Sequence, residues 1–444
     1  MVALTTEGVI ALAPDEASAK AARGLISPGK WPVLGANELA AWGECQGSGS
    51  KPYQTQVDLI GLAFRCSCPS RKFPCKHGLA LLLLKAQSPD LFHEAQSPAW
   101  VRQWLESRVE KAQKKEERQT EKAAAPADPQ AAAKREAQRW QRMEGATQEL
   151  QRWLADQLTR GLGSLSADVL KTWHTMAARM VDAQAPGLGQ RVREAAAGVQ
   201  QGDNWPERTL ARLGLLQLAC DAMARRASLS AALQAELRGV LGWPYDKTEV
   251  LAAGEQVTDR WTVLGVGMDE RDDKLTERRV WLHGQQSGRR ALLLEHAFGG
   301  RGFEQAWLTG TSQHATLAYF PGANALRAVT VDAVGAMEGA MWPVTSLHAE
   351  WQSMAQRAAA SPWVSLHPMV IEAGVVMMNG VRKLVISGGQ ALPLALGDEG
   401  MWALLASSGG LPVQLMGEWD GYCLRPLTAW GHAASSPIWQ GVMT

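Results

Sequence analysis

The stretch Arg65-Cys-Ser-Cys-Pro-Ser-Arg-Lys-Phe-Pro-Cys-Lys-His77 holds three of the six cysteines in this chain of 444 residues. The spacing C-x-C-x6-C-x-H is formed by Cys66, Cys68, Cys75 and His77. Three thiolates and one imidazole make a closed tetrahedral donor set, and sulfur and nitrogen are the donors that zinc prefers. We therefore predict that these four side chains bind Zn²⁺. Because four protein ligands leave no coordination position open, the predicted role of the ion is structural.

The sequence around the motif predicts two strands and a helix. In residues 53–59, the side chains Tyr, Thr, Val and Leu alternate with the polar side chains Gln, Gln and Asp, which is the period of a half-buried strand. Cys66 and Cys68 are two residues apart, so both sulfurs lie on the same face if these residues belong to a second strand. Pro69 is expected to end that strand. His77 falls in the first turn of the leucine-rich helix that follows, with the sequence GLALLLLKA. One ion would then hold a strand hairpin against a helix.

This arrangement of C-x-C and C-x-H pairs on a ββα unit resembles the SWIM-type zinc finger. The similarity covers residues 1–105, because residues 42–53 and the leucine run after Gly78 also resemble the bacterial stand-alone SWIM proteins. The resemblance implies the same four ligands and a zinc module that contacts DNA or protein. It also implies a partner, either a MoxR-type AAA+ ATPase or a von Willebrand A-type protein.

The next segment, residues 106–139, has the composition of a linker. It contains one large apolar residue, Val109, together with nine basic residues, seven acidic residues and nine alanines. A segment with so little apolar surface cannot bury a face against a core. We predict a charged, alanine-rich linker that is partly helical on either side of Pro126 and Pro129.

The remaining chain has two further types of sequence pattern, first helical and then β-type. Between residues 140 and 245 apolar residues recur every three or four positions, for example after Ser166, a predicted N-cap. Beyond residue 257, short β-type segments alternate with Gly, Asp and Ser turns, and one helix-like insertion spans residues 347–359. Residues 281–295 and 402–416 share the pattern of a strand, a turn and a second strand.

These patterns together predict an α+β multidomain protein with a zinc-stabilised ββα module, a helical bundle and a C-terminal antiparallel β-rich region. The predicted boundaries are 1–105 for the SWIM-type domain, 106–139 for the linker, 140–250 for the bundle and 251–444 for the β-rich domain.

Composition excludes several classes of function. The 45 Lys and Arg residues against 44 Asp and Glu residues give a net charge of +1, so the chain is no general polyanion binder. No apolar run approaches the ~18–20 residues of a membrane helix. The first residues lack the pattern of a secretory signal, and six cysteines in 444 residues are too sparse and too unevenly spaced for a disulfide framework. We therefore expect a cytoplasmic protein in a reducing compartment, with no membrane contact.

Four basic residues surround the predicted metal site and could contact a partner: Arg65, Arg71, Lys72 and Lys76. With Phe64 and Phe73 as stacking faces, this basic rim could bind nucleic acid. The same cations would also offset the net −1 charge of a zinc ion with three thiolates, which requires no ligand. We favour a non-catalytic adaptor in which zinc fixes a recognition surface around residues 47–50, Arg71 and Lys72 while the C-terminal two-thirds of the chain bind another protein, with DNA binding as the alternative.

A hydrolase is the third class of function that the sequence leaves open. It would need converging acid and base groups in the β-rich region, for example Glu295 with His296 or His314. The sequence contains no H-E-x-x-H or G-x-S-x-G motif that would support this class. We predict that the protein is not an enzyme.

Overall fold

The computed structural model describes residues 5–47, 51–70, 72–94, 96–124, 128–272, 275–298, 303, 305–378, 380–386, 389–432, 434 and 436–441. Its architecture confirms the predicted fold class. A metal-motif module, a helical bundle and a β-rich C-terminal region follow each other along the chain.

The N-terminal module is a five-stranded sheet covered by helices. Its elements are α1 (Thr6–Ala11), α2 (Glu16–Arg23), β1 (Val33–Ala36), β2 (Ala40–Cys45), β3 (Tyr53–Asp58), β4 (Ala63–Cys66), α3 (Lys76–Gln87) and β5 (His93–Glu94). The sheet order is β4-β3-β2-β1-β5. Asp15 caps α2 by accepting a hydrogen bond from the backbone N–H of Ser18. Helix α3 packs on β2, β3 and β4, and its residues 77–84 are buried.

The second part is helical. Its elements are α4 (Ala99–Ala124), α5 (Pro129–Arg160), α6 (Ala167–Asp182), α7 (Pro186–Ala197), α8 (Trp205–Ala224), α9 (Ala231–Val240) and α10 (Lys247–Ala253). The core of α5 to α9 is built from apolar residues at helical spacing, among them Leu150, Trp173 and Leu213. Ser166 caps α6, as predicted. The charged segment is helical in α4 and in the start of α5, and residues 125–127 between these helices lie outside the described residues.

The first part of the β-rich region is a closed five-stranded barrel. Its strands are β6 (Gln256–Asp272), β7 (Leu275–Gly284), β8 (Arg290–Phe298), β9 (Thr311–Tyr319) and β10 (Arg327–Gly339). The strand order is β10-β8-β7-β6-β9, and only the β8–β10 pair is parallel. A five-stranded barrel whose third strand lies beside the fifth in parallel has the topology of the OB-fold. Alternate side chains such as Val280 and Leu282 fill its interior.

The second part of the β-rich region is a six-stranded antiparallel sheet with two helices. The elements are α11 (Leu347–Ala360), β11 (His367–Met378), β12 (Val381–Ile386), β13 (Ala391–Pro393), α12 (Asp398–Ser408), β14 (Val413–Trp419), β15 (Leu424–Trp430) and β16 (Trp439–Gln440). The sheet order is β13-β12-β11-β14-β15-β16. Helix α11 occupies the predicted insertion and packs on β11.

The prediction for residues 402–416 was wrong in its first half. The segment begins inside α12 and continues into β14, whereas residues 281–295 form the expected β7–β8 hairpin. Alanine and leucine favour a helix here, Asp398 and Glu399 lie in its first turn, and Gly409 ends it in the left-handed conformation with φ 61°. The Gly-Gly pair therefore terminates a helix and does not form the turn of a hairpin.

The helices range from the 6 residues of α1 to the 32 residues of α5. In the part of the chain that the structure describes, no helix combines the length and the apolarity that crossing a bilayer requires.

A buried charge network joins the barrel to the C-terminal sheet. The Arg279 guanidinium on β7 donates to both carboxylate oxygens of Glu418 on β14, at 2.7 and 3.0 Å, and their side chains are 3% and 1% exposed. The indole N–H of Trp281 donates to the same carboxylate at 2.8 Å. Asp269 on β6 then bridges Arg279 to Arg425 on β15, at 2.7 and 2.9 Å. These buried charges are paired with one another, and an apolar core that includes Trp281 and Met416 also joins barrel and sheet.

The barrel is also joined to the N-terminal module. Ala306 and Leu308, in the connection between β8 and β9, are each 4% exposed and belong to the hydrophobic core that contains the leucines of α3. The backbone N–H of Ala306 donates to the carbonyl of Leu62 at 3.0 Å. The core of the N-terminal module is therefore completed by residues that follow it by more than two hundred positions.

Replacing Arg279 with Met tests the charge network. The substitution keeps much of the side-chain volume but leaves the Glu418 carboxylate buried without its cation, which typically costs about 3–5 kcal/mol. We expect the urea-unfolding transition that reports on the C-terminal region to move to lower denaturant. Lys171→Met is the matched control, because it breaks an ion pair with Asp168 that is 78% and 87% exposed. Equal midpoints for both variants would contradict the proposed contribution of the network.

Candidate metal centre

The four predicted ligands come together where a strand ends and a helix begins. Cys66 is the last residue of β4, Cys68 lies in the bend after it, Cys75 is the N-cap of α3, and His77 lies in its first turn. Their ligand atoms all lie within 4.8 Å of one another. The strand was expected to continue to Pro69, but its pairing with β3 ends at Cys66, so the bend and not the pleat turns the second sulfur toward the site.

The start of α3 is part of the site. The Cys75 sulfur accepts a hydrogen bond from the backbone N–H of Gly78 at 3.4 Å, which satisfies one of the N–H groups that a helix leaves free at its first turn. A Cβ on Gly78 would lie 2.9 Å from the Phe64 ring, so only glycine lets the helix approach β4 this closely. The glycine after the C-x-H pair therefore helps to set the distance between helix and hairpin.

Strand β3 supplies further neighbours of the site. Thr55 is paired with Cys66 across the two strands, and its hydroxyl lies 3.2 Å from the Cys66 sulfur. The Tyr53 ring covers the His77 ring at a centroid distance of 4.9 Å. The His77 Nδ1 lies 3.7 Å from the Cys66 sulfur. The imidazole is held between a ring on one side and the sulfurs on the other.

The electrostatics favour a thiolate at the end of β4. The hydrogen bond from Cys75 lowers the pKa of Cys66 to about 4; burial opposes the shift, and contacts with His77 and Thr55 add to it. The same hydrogen bond, together with burial, raises the pKa of Cys75. Burial also raises the pKa of Cys68. A close set of sulfurs thus holds one negative charge readily, and further deprotonation requires a cation among them.

The donor set fits a metal ion of the zinc type. Bonds of ~2.3 Å to sulfur and ~2.0–2.1 Å to nitrogen place tetrahedral donor atoms about 3.6–3.8 Å apart. The 3.7 Å between Cys66 Sγ and His77 Nδ1 has this length, and the 4.8 Å limit for the whole group is close to it. Three sulfurs and one nitrogen favour zinc over the hard cations that prefer oxygen. Among the described residues, no other group of three or more His, Cys, Asp or Glu side chains is placed to hold a metal ion.

Cys45 lies near this cluster but outside it. Its side chain is fully buried at the end of β2, and its thiol lies 3.8 Å from the carbonyl oxygen of Gln46. Burial raises the pKa of Cys45 to about 11. Cys45 is not in the group of four whose ligand atoms lie within 4.8 Å of one another, so the geometry leaves it outside the donor set.

The basic rim is less available than the sequence suggested. Lys72 makes an ion pair with the N-cap residue of α2, Asp15, at 2.7 Å, and this lysine holds the pKa of the carboxyl below its usual value. Arg65 and Lys76 are exposed. Arg71 lies outside the described residues, as do residues 48–50 of the predicted recognition surface. One of the three described cations of the rim therefore has a carboxylate partner, in an ion pair whose side chains are 55% and 38% exposed.

The two phenylalanines do not form open stacking faces. Phe64 and Phe73 pack edge to face against each other, with ring centroids 5.8 Å apart and an interplanar angle of 89°. Both side chains are partly buried. This contact holds the loop between Cys68 and Cys75 against the hairpin.

The acid and base groups considered for a hydrolase do not converge. Glu295 accepts hydrogen bonds from Arg278 at 2.6 Å and from Trp307 at 3.3 Å. His296, the next residue of β8, points to the other face and lies 3.6 Å from Glu277. His314 lies on β9, where it is paired in register with Arg260 of β6, and β9 is not a neighbour of β8 in the barrel.

Two segments of the chain match known family models. Residues 53–86 match the SWIM zinc finger, and this range contains all four ligands. Residues 138–241 match the SWIM-associated four-helix bundle domain, which covers most of α5 and continues through α9. No curated protein and no solved structure matches the chain. The resemblance to the SWIM zinc finger is confirmed. The helical bundle, which was predicted from periodicity alone, matches the bundle domain that is associated with this finger.

Cys68→Ser tests the metal centre. Removing one of four donors opens the tetrahedral set, so we expect purified protein to lose metal to a concentration of EDTA that leaves about one zinc ion per chain in the unmodified protein. Elemental analysis after dialysis measures this directly. Cys45→Ala is the matched control, since it removes a buried neighbouring thiol outside the cluster and should leave the zinc content unchanged. Equal zinc loss from both variants would show that Cys68 is no ligand.

Proposed function

We propose that this protein, which contains a SWIM zinc finger followed by the four-helix bundle associated with it, is a non-catalytic adaptor. In this proposal a structural zinc ion at Cys66, Cys68, Cys75 and His77 fixes the finger against the rest of the chain, and the assembled surface binds another protein in the cytoplasm. The match to the SWIM zinc finger and the geometry of the four ligands support the finger and its Cys and His metal site.

The observation that carries the proposal is the shared core of finger and barrel. Helix α3 begins at the metal ligands, and its leucines pack with Ala306 and Leu308 of the barrel connection. A finger that reads nucleic acid independently usually presents a free face on a tether. Here the folded finger is also the support for a second domain, so loss of the ion would loosen a contact far along the chain. That coupling suits a scaffold.

The alternative, nucleic-acid binding, has weaker support. Lys72 is already paired with Asp15, which leaves few cations to contact phosphates near the finger. OB-fold barrels bind oligonucleotides on the face of their second and third strands. In this barrel the outward side chains Arg279 and Trp281 of the second strand are bound to Glu418 of the C-terminal sheet. The basic rim of the finger and the outer face of the barrel are the two surfaces where nucleic acid would be expected to bind. On both surfaces, some of the side chains that would contact it already bind other residues of this chain.

The absence of an enzymatic role is also a proposal. A catalytic zinc keeps an open position for water or substrate, whereas three sulfurs and one imidazole from the protein fill a tetrahedral ion. Glu295 and His296 have separate partners, as described above. The metal centre thus has the donor set of a structural site.

By resemblance, the proposed partner is a MoxR-type AAA+ ATPase or a von Willebrand A-type protein. Binding to such a protein, measured by biolayer interferometry with this chain immobilised, should be lost in Cys68→Ser. It should survive in the double variant Arg65→Gln/Lys76→Gln, which removes the two exposed cations. Cys45→Ala again controls for a buried cysteine. Retention of full affinity in the zinc-depleted Cys68→Ser protein would contradict a zinc-dependent adaptor.

A salt titration separates the adaptor from the nucleic-acid alternative. Fluorescence anisotropy with a labelled DNA oligonucleotide should give weak binding with a shallow salt dependence. A true phosphate-binding rim would give a slope of about −0.9 in log K against log salt for each phosphate contacted. If the slope is steep and falls when Arg71 and Lys72 are both changed to Ala, the DNA-binding alternative replaces the adaptor.

A further inference from the structure

A cavity of about 690 Å³ lies between the β7–β8 turn of the barrel and helix α11. Its walls come from the β7–β8 turn, the β9–β10 loop at residues 323–326, the segment 341–345 and helix α11. Cavities of ~300–1,000 Å³ are the usual size of small-molecule sites in proteins. None of the residues that line it belongs to the finger or to the metal site.

Cations exceed anions in one wall of the cavity. Arg290, at the start of β8, donates to the Glu350 carboxylate of α11 at 3.0 Å, and their side chains are 10% and 6% exposed. Arg357, also on α11, is the second guanidinium of this wall. It donates from Nη2 to the carbonyl of Pro368 at 3.4 Å, while its buried Nε has no acceptor among the described residues. Two guanidinium groups thus face one carboxylate.

The third arginine of the cavity does not add to this excess. Arg289 makes an ion pair with Glu255 at 2.7 Å and lies over the ring of Tyr319 at 4.0 Å from its centroid. The uncompensated positive charge is therefore associated with the group formed by Arg290, Glu350 and Arg357. A partly buried positive charge of this kind is stabilised by an anion.

The histidine of the cavity suits binding and not proton transfer. Burial and the neighbouring Arg290 lower the pKa of His283 to about 4, so the imidazole is neutral at pH 7. Its Nδ1 contacts the Arg290 guanidinium, which stands between the histidine and Glu350. A base this weak, without a carboxylate to orient it, is poorly matched to catalysis at neutral pH.

The facing wall is apolar. Trp342 stacks on Trp430 of β15 with ring centroids 4.2 Å apart and an interplanar angle of 9°, which fixes its indole. Met341 and Val344 beside it are 54% and 101% exposed. The cavity therefore has a cationic end and an apolar side, and on the apolar side the stack with Trp430 holds Trp342 in place.

We propose that this cavity binds a small organic anion, with its phosphate or carboxylate group on Arg357 beside the Arg290–Glu350 pair and its apolar body along Trp342 and Met341. Phosphate and carboxylate oxygens share the acceptor geometry that a guanidinium matches. A neutral molecule would leave the cationic end unmatched. Inorganic phosphate would leave the apolar side uncovered.

Isothermal titration calorimetry with four probes tests the proposal on the full-length protein: benzyl phosphate, phenylacetate, benzyl alcohol and inorganic phosphate. We expect one or both aromatic anions to bind at least about 10-fold more tightly than benzyl alcohol and inorganic phosphate. The order of benzyl phosphate and phenylacetate identifies which oxyanion the cavity prefers. Aromatic anions that bind no better than benzyl alcohol would overturn the proposal.

Two variants locate the site. Arg357→Gln removes the cation but keeps the Arg290–Glu350 pair, and it should weaken anion binding at least about 10-fold. Arg152→Gln, exposed on α5, is the matched control and should bind as the unmodified protein does. If Arg357→Gln does not fold, Ser353→Trp blocks the cavity from α11 while keeping its charges, and it should abolish binding. Unchanged affinity in a folded form of either cavity variant refutes the location.

Discussion

The contact on which this fold depends joins the end of β4 to the start of α3 through three sulfurs and one imidazole. Neither element is long: β4 has four residues and α3 has twelve. A strand of that length at the edge of a sheet has little stability of its own. A metal ion bound by all four side chains fixes the start of α3 relative to the end of β4. The leucines of α3 are then oriented toward the core of the N-terminal module. The contacts of α3 with the rest of the chain, including those with Ala306 and Leu308 beside the barrel, depend on this junction of β4 and α3.

The molecule uses two different kinds of contact to assemble its parts. The finger meets the barrel through apolar side chains, with one backbone hydrogen bond to Leu62. The barrel meets the C-terminal sheet through buried charges around Glu418 and also through an apolar core that contains Trp281 of the barrel and Met416 of the sheet. Barrel and sheet are therefore joined by both kinds of contact, whereas the finger meets the barrel mainly through apolar side chains.

Local signals predicted much of this structure and could not predict the rest. The ligand spacing and the cap at Ser166 are set within a few residues, and both had the expected result. Residues 53–58 form the expected strand, but its burial does not alternate, because Gln56 is buried together with Thr55 and Val57. The helix α12 was missed because a Gly-Gly pair can end a helix as well as form a turn. The pairing of Lys72 with Asp15, the closure of the barrel and the placing of Leu308 in the finger core join distant positions. No periodicity encodes such contacts.

Zinc K-edge X-ray absorption of the purified protein tests the central claim most directly, because it reports the identity and distance of the atoms around the metal. We expect about one zinc ion per chain, with three sulfur neighbours at ~2.3 Å and one nitrogen neighbour at ~2.0–2.1 Å. Absence of stoichiometric zinc, or a shell of nitrogen and oxygen atoms without sulfur, would contradict it and leave the junction of β4 and α3 without the contact that holds it.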